Sequence, residues 1–148
     1  MSKVTSESAE IQAGLSEVAT VLFEIERYPE WTTGITAVDV ISRNSKGEVE
    51  SATLTIDAGV IKDEVTLSYD WNQAPLRLSF SMLKGKFLNK MSGAYVLDAI
   101  SPEKTKVTYE LSVGTAMFIP AMMITKQEKS TIEKALGQLK ERIEGSKQ

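Results

Sequence analysis

The sequence predicts an α+β domain in which a curved antiparallel sheet of about seven strands wraps around a long C-terminal helix. Three observations predict it. From Ile35 to Val113, apolar and polar residues alternate with a period of two, broken only by short turn-forming stretches. From Pro120 to Ile143 the period becomes helical. Ala121, Ile124, Ile132, Ala135, Leu136, Leu139 and Ile143 fall on one side, with Lys126, Lys129, Glu133, Lys134, Lys140, Glu141 and Arg142 elsewhere. The outward strand positions are rich in Thr, Ser, Asp and Glu, so only one sheet face is apolar, and no other segment is long enough to cover it.

Taken in order, Val4 to Gln12 alternates weakly and suits a short edge strand. Gly14 breaks it, Ser16 is placed to cap the next element, and Val18, Val21, Leu22 and Ile25 repeat at helical spacing to about Arg27. Tyr28-Pro29-Glu30-Trp31 stops that helix, because the residue before a proline avoids helical geometry, and Pro29 starts a second short helical turn. Val38 and Val40 open the strands. Asn44-Ser45-Lys46-Gly47 is a turn, and Ala52, Leu54, Ile56 and Ala58 alternate after it. Beyond Gly59 come Val65, Leu67, Tyr69 and Trp71, then Leu78, Phe80 and Met82, then Met91, Gly93, Tyr95 and Leu97. Ser101-Pro102-Glu103-Lys104 turns the chain into Val107, Tyr109, Leu111 and Val113. Every connection is short, which predicts an antiparallel meander in the order strand, two helices, six strands, long helix. A single domain over 1–148 is expected.

Composition narrows the function. A net charge of −3 argues against a phosphate-tracking surface, so no nucleic-acid partner is expected. The chain has no Cys and no His, which removes thiolate nucleophiles, the commonest general base and the commonest transition-metal ligand. Asp57, Asp63 and Glu64 lack calcium-loop spacing, and no phosphate-cradling glycine loop is present, so neither metal nor cofactor is expected. Met1 to Glu10 does not read as a secretory signal, and the longest apolar run, Ala116 to Ile124, is interrupted by Pro120 and far short of the roughly 20 residues that span a bilayer. A cytoplasmic protein without stable membrane insertion is expected. The polar outer sheet face predicts a monomer or weak dimer.

The element order resembles the helix-grip fold of the START-like superfamily, which includes the birch-pollen-allergen type. Phe23-Glu24-Ile25-Glu26-Arg27-Tyr28-Pro29-Glu30-Trp31 is similar to the "YPEW" segment closing the first helix pair in its polyketide cyclase/dehydrase and coenzyme Q-binding branch. Ala58-Gly59-Val60-Ile61-Lys62-Asp63-Glu64-Val65, running to Trp71, resembles a strand pair of small actinobacterial members. Leu111-Ser112-Val113 through Ile119-Pro120 resembles their last strand and proline-started helix. Two departures stand out. Glu128 occupies a position where those relatives carry an aliphatic residue, and Met117, Met122 and Met123 soften the start of the long helix.

The resemblance implies a cavity between sheet and helix, lined by Leu54, Ile56, Leu67, Tyr69, Trp71, Leu78, Phe80, Tyr95, Tyr109 and Leu111, with Ala121, Ile124, Thr125, Glu128 and Ile132 from the helix. An apolar lining with several phenols suits a lipid-, quinone- or polyketide-like molecule. The same residues also suit a solid core. Glu128 is the sharpest candidate. On a helix face otherwise apolar, its carboxyl group is expected to lose hydration and gain proton affinity, as a general acid/base or ligand anchor requires, unless Lys84 or Arg43 pairs with it. Tyr28 and Trp31 either line an entrance or anchor the proline turn. The Met117 to Met123 run is either a gate or a loop buried against the first helix. Binding or transport of a small hydrophobic ligand is the primary expectation. The alternatives are a cyclase/dehydrase-type enzyme using Glu128 with Tyr69, Tyr95 or Tyr109, and a protein-interaction module, as the ribosome-acting relatives suggest.

Overall fold

The computed structural model describes residues 4–59, 61–115 and 118–145. Its strands are β1 (Thr5–Ile11), β2 (Ile35–Arg43), β3 (Val49–Ala58), β4 (Ile61–Asp70), β5 (Arg77–Lys84), β6 (Leu88–Ser101) and β7 (Lys104–Thr115). They form one antiparallel sheet in the order β1-β7-β6-β5-β4-β3-β2. The meander β2 to β7 follows from the short turns, and β1 returns to pair with β7, Thr5 opposite Leu111 and Ile11 opposite Thr105. The strand alternation becomes burial alternation. Leu54, Ile56, Leu67, Leu78, Tyr95, Tyr109 and Leu111 are buried on the inner face. The outer face carries cross-strand hydroxyl pairs, such as Thr53 with Thr66 at 2.9 Å and Ser42 with Ser51 at 2.7 Å.

Between β1 and β2 lie α1 (Leu15–Phe23) and a 3-10 helix, Ile25–Glu30. The structure corrects two expectations in this stretch. Ser16 is not the cap: Gly14 holds that position, without a side-chain cap bond, and a Cβ there would stand 2.7 Å from the Pro102 carbonyl oxygen. The α-helix also stops at Phe23 instead of reaching Arg27, because Glu24 leaves helical geometry and the chain tightens into the 3-10 turn carrying Pro29. The Tyr28 hydroxyl donates to the Leu22 carbonyl at 2.6 Å, satisfying one acceptor that the end of α1 leaves open.

The long helix α2 (Ala121–Gly145) packs chiefly on β1 and β7. Ile132, Ala135, Leu136, Leu139 and Ile143 are buried, as the stripe predicts, whereas Ala121 is exposed and Ile124 and Thr125 are half-buried. The first turn of α2 overhangs the sheet. Phe118, Met122 and Met123 are likewise exposed, which excludes a loop buried against α1, while Met117 lies outside the described residues. No helix among the described residues is long and apolar enough to cross a membrane.

Glu128 is buried, at 3% exposure, as its place on the apolar face predicts, but it serves neither a ligand cavity nor a pair with Lys84 or Arg43. Its Oε1 accepts the Thr5 hydroxyl at 2.7 Å and its Oε2 accepts the Val113 backbone N–H at 2.7 Å. Arg43 pairs with Glu26 instead. Glu128 therefore ties α2 to β1 and β7 at the point where the helix leaves the sheet edge. Glu128→Gln keeps an acceptor for Val113 and gives Thr5 an amide donor, so its stability should stay within about 1 kcal/mol of the parent. Glu128→Leu strands a buried N–H and should lose about 1–3 kcal/mol in urea unfolding. Equal losses for the two variants would remove this role.

Candidate functional site

Because α2 leans toward β1 and β7, its opposite flank does not reach the inner face of β2 and β3, and a cavity of about 200 Å³ fills the gap. Its walls are Thr32, Gly34 and Ile35 before and at the start of β2, Ile56 to Gly59 at the end of β3, and Met91, Tyr95 and Tyr109 on the sheet floor. The helix contributes Gln127, Ser130, Thr131, Lys134, Ala135 and Gln138. A second void of about 30 Å³, large enough for about one water, lies deeper among Tyr28, Leu54, Leu67, Tyr69, Leu78 and Phe80. Ile35, Met91, Tyr95 and Tyr109 border both spaces and form the partition between them.

Two glutamines about three turns apart hold the helix over this gap. Gln127 Nε2 donates to the Ala58 carbonyl at 2.8 Å and to Thr131 Oγ1 at 3.2 Å. Gln138 exchanges two bonds with Thr33, accepting its backbone N–H at 3.1 Å and donating to its hydroxyl at 2.9 Å. Gly59 makes the first latch possible. Its φ of 71° is open to glycine at little cost, and a Cβ there would stand 3.2 Å from Gln127 Oε1.

All four tyrosines of the chain, Tyr28, Tyr69, Tyr95 and Tyr109, gather around the partition and the deeper void. Tyr95 and Tyr109 stack with ring centroids 4.3 Å apart. Burial raises every one of these phenols, with Tyr109 pushed up to about 12 and the other three also above the ordinary value of 10. The cluster is neutral and presents O–H donors, not phenolates. The folded state keeps these protons where the unfolded chain releases them, so the stability they contribute is intact below about pH 10 and lost as pH rises through about 12. An absorbance titration should therefore show no tyrosinate step near pH 10 while the protein stays folded. A folded protein titrating one tyrosine at that ordinary value would contradict the cluster.

Of the residues that the sequence pointed to, Ile56, Tyr95 and Tyr109 line the larger cavity, and Leu54, Leu67, Tyr69, Leu78 and Phe80 line the smaller void. The others lie elsewhere. Trp71 donates to the Val49 carbonyl at 2.6 Å and meets Phe23 edge-on, Leu111 and Ile132 are closed into packed core, and Ala121, Ile124, Thr125 and Glu128 lie outside both linings. Tyr28 anchors the proline turn and, instead of lining an entrance, borders the deeper void, while Trp31 packs edge-on against Tyr28 at 5.4 Å. Sequence reasoning missed Thr32, Met91, Gln127, Thr131, Lys134 and Gln138. The signal for the helix residues was a second stripe, at positions 127, 131, 134 and 138, running beside the apolar one at helical spacing.

Comparison with known proteins agrees with this architecture. The sequence model of the family described as "Polyketide cyclase / dehydrase and lipid transport" matches residues 2–144. A START superfamily protein from Mycobacterium smegmatis superposes with a TM-score of 0.91 at 18% identity, covering 97% of this chain and 98% of that one. A conserved protein from Geobacillus kaustophilus gives 0.79 at 17% identity over 97% of each chain. The Zhui aromatase/cyclase from Streptomyces sp. R1128 gives 0.76 at 13% identity, covering 97% and 96%. No curated protein sequence matches. At these identities the likeness is one of fold.

Proposed function

Because this chain belongs to the polyketide cyclase / dehydrase and lipid transport family, we propose that it binds and carries a small hydrophobic molecule with one or two acceptor oxygens, held between the sheet and α2. The observation that carries this reading is the cavity of about 200 Å³ closed by the two glutamine latches, with a neutral tyrosine cluster on its floor. Ile35, Ile56, Met91 and Ala135 supply apolar area, and Tyr95 and Tyr109 offer hydroxyls to an oxygen on the ligand. Lys134, exposed at the rim without an ion-pair partner among the described residues, suits a polar or anionic outer end. Met91 lies on the partition, and a change of its flexible rotamer opens the deeper void to a longer molecule.

A cyclase/dehydrase-type enzyme is the second reading, and the stacked Tyr95–Tyr109 pair is what favours it, as two neutral phenols are placed to donate to a carbonyl oxygen. Glu128 has no part in that reading, because its carboxyl group is engaged by Thr5 and Val113 away from both linings. Asp57 at the rim is the carboxylate that borders the cavity. The test is native mass spectrometry of protein purified from its own host, followed by organic extraction. One co-purifying hydrophobic molecule, lost on blocking the cavity, supports the carrier. Recovery of empty protein that converts an added polyketide-like chain to a cyclised product supports the enzyme and sinks the carrier.

A further inference from the structure

One end of the sheet, where β3 turns into β4, β5 into β6 and β7 toward α2, leaves large apolar side chains without cover. Leu83, Phe87, Phe118, Met122 and Met123 are all exposed, Phe118 at 95% and Met122 at 81%. The topology brings them together. Leu88 pairs with Thr115 in the β6–β7 ladder and the Thr115 hydroxyl lies 3.4 Å from the Phe87 carbonyl, so the β5–β6 turn sits beside the strand end that leads to Phe118. Lysines accompany these residues. Lys84 and Lys86 flank the turn, Lys126 follows Met122 and Met123 by one helical turn, and Lys62 opens β4. Lys84 and Lys126 have no ion-pair partner among the described residues, while Lys62 and Lys86 reach exposed Asp57 and Glu64 only at 3.9 Å. Two acidic groups of this end, Asp63 and Glu128, are buried on backbone N–H donors and expose no carboxylate beside the lysines.

A chain of net charge −3 thus presents one basic end studded with Phe, Met and Leu. We infer that this end docks on the surface of an anionic lipid bilayer, with Phe118, Met122 and Phe87 entering the headgroup boundary and Lys84, Lys86 and Lys126 facing lipid phosphates. The pairing of apolar insertion with lysines at the rim is the chemistry of peripheral membrane attachment. A second copy of the chain fits less well, since a two-fold contact sets lysine against lysine, and protein interfaces are depleted of lysine at their centres. Ala58 and Gly59 belong to the same end and line the larger cavity, so docking brings the cavity rim toward the bilayer. Docking of this end is independent of what the cavity holds.

The test is flotation with vesicles of phosphatidylglycerol and phosphatidylcholine in equal parts, against phosphatidylcholine alone, at low salt. The protein should float with the anionic vesicles only. Lys84→Glu/Lys86→Glu should weaken that binding by at least about 25-fold, at about fivefold per lysine. Phe118→Ser/Met122→Ser should also abolish it, and because these side chains are exposed, circular dichroism should show the parent fold. No flotation with anionic vesicles, or flotation that both double variants retain, overturns the inference. So does a concentration-dependent dimer that Phe118→Ser/Met122→Ser removes in a protein that does not float, which assigns the patch to a second copy. An empty cavity in the extraction experiment, with flotation intact, counts against the carrier alone.

Discussion

Asp63→Ala is expected to lower stability by on the order of 3 kcal/mol, because one buried carboxylate serves several backbone donors at once. Asp63 is 7% exposed and accepts backbone N–H groups from Glu64 at 2.7 Å, Lys86 at 3.0 Å, Phe87 at 3.0 Å and Leu88 at 2.8 Å. Three of those donors lie in the β5–β6 turn and at the first residue of β6. A carboxylate from β4 thus organises a turn that follows the next strand. Burial alone raises its proton affinity, but the donors from Leu88, Phe87, Lys86 and Glu64 together outweigh burial and hold the carboxyl below its ordinary value of 3.8. The sign for stability follows. The contribution is complete above that value, where the unfolded chain is also ionised, and is lost as pH falls through the lower folded value. Urea unfolding of parent and variant should therefore show a wide gap at neutral pH that narrows in acid. A gap of the same size at about pH 7 and about pH 3 would contradict the charge-based account. Asp63→Asn should fall between the two, keeping an acceptor but turning an amide donor toward N–H groups.

Thr131→Trp should reduce binding of any cavity ligand by at least about tenfold, or about 1.4 kcal/mol, while the fold persists. Thr131 stands on the cavity flank of α2, half-buried, next to the Gln127 latch, and an indole there occupies much of a space of about 200 Å³. Threonine is not a core residue in this helix, since the buried contacts are made by Ile132, Ala135, Leu136 and Leu139. The stability change should therefore be small beside the change in binding. The measurement is displacement of an environment-sensitive fluorophore by the molecule extracted from the native protein, with unfolding followed in parallel. Full affinity in a folded Thr131→Trp protein would move the ligand out of this cavity. Glu133→Trp, on an exposed face of the same helix, is the control that should bind as the parent does.

The amino-acid sequence by itself determined the architecture. A period of two in the strands and of 3.6 in α2, separated by short turns, admits few other arrangements, because one apolar sheet face and one apolar helix stripe must cover each other. It also determined which chemistry is absent, as no His or Cys stands anywhere in the chain. Only the tertiary structure decided the site. Glu128 shares the buried face of α2 with Ile132, and a helical wheel does not say that Thr5 and the Val113 N–H meet it. Those bonds join residues 123 and 15 positions apart, and they arise from where α2 rests on the sheet. The same tilt toward β1 and β7 opens the gap at the other flank and turns Gln127, Thr131 and Gln138, polar residues beside the apolar stripe, into the cavity wall. Periodicity fixes which face of an element is apolar. It does not fix the lean of one element on another, and the cavity is the space that the lean leaves unfilled.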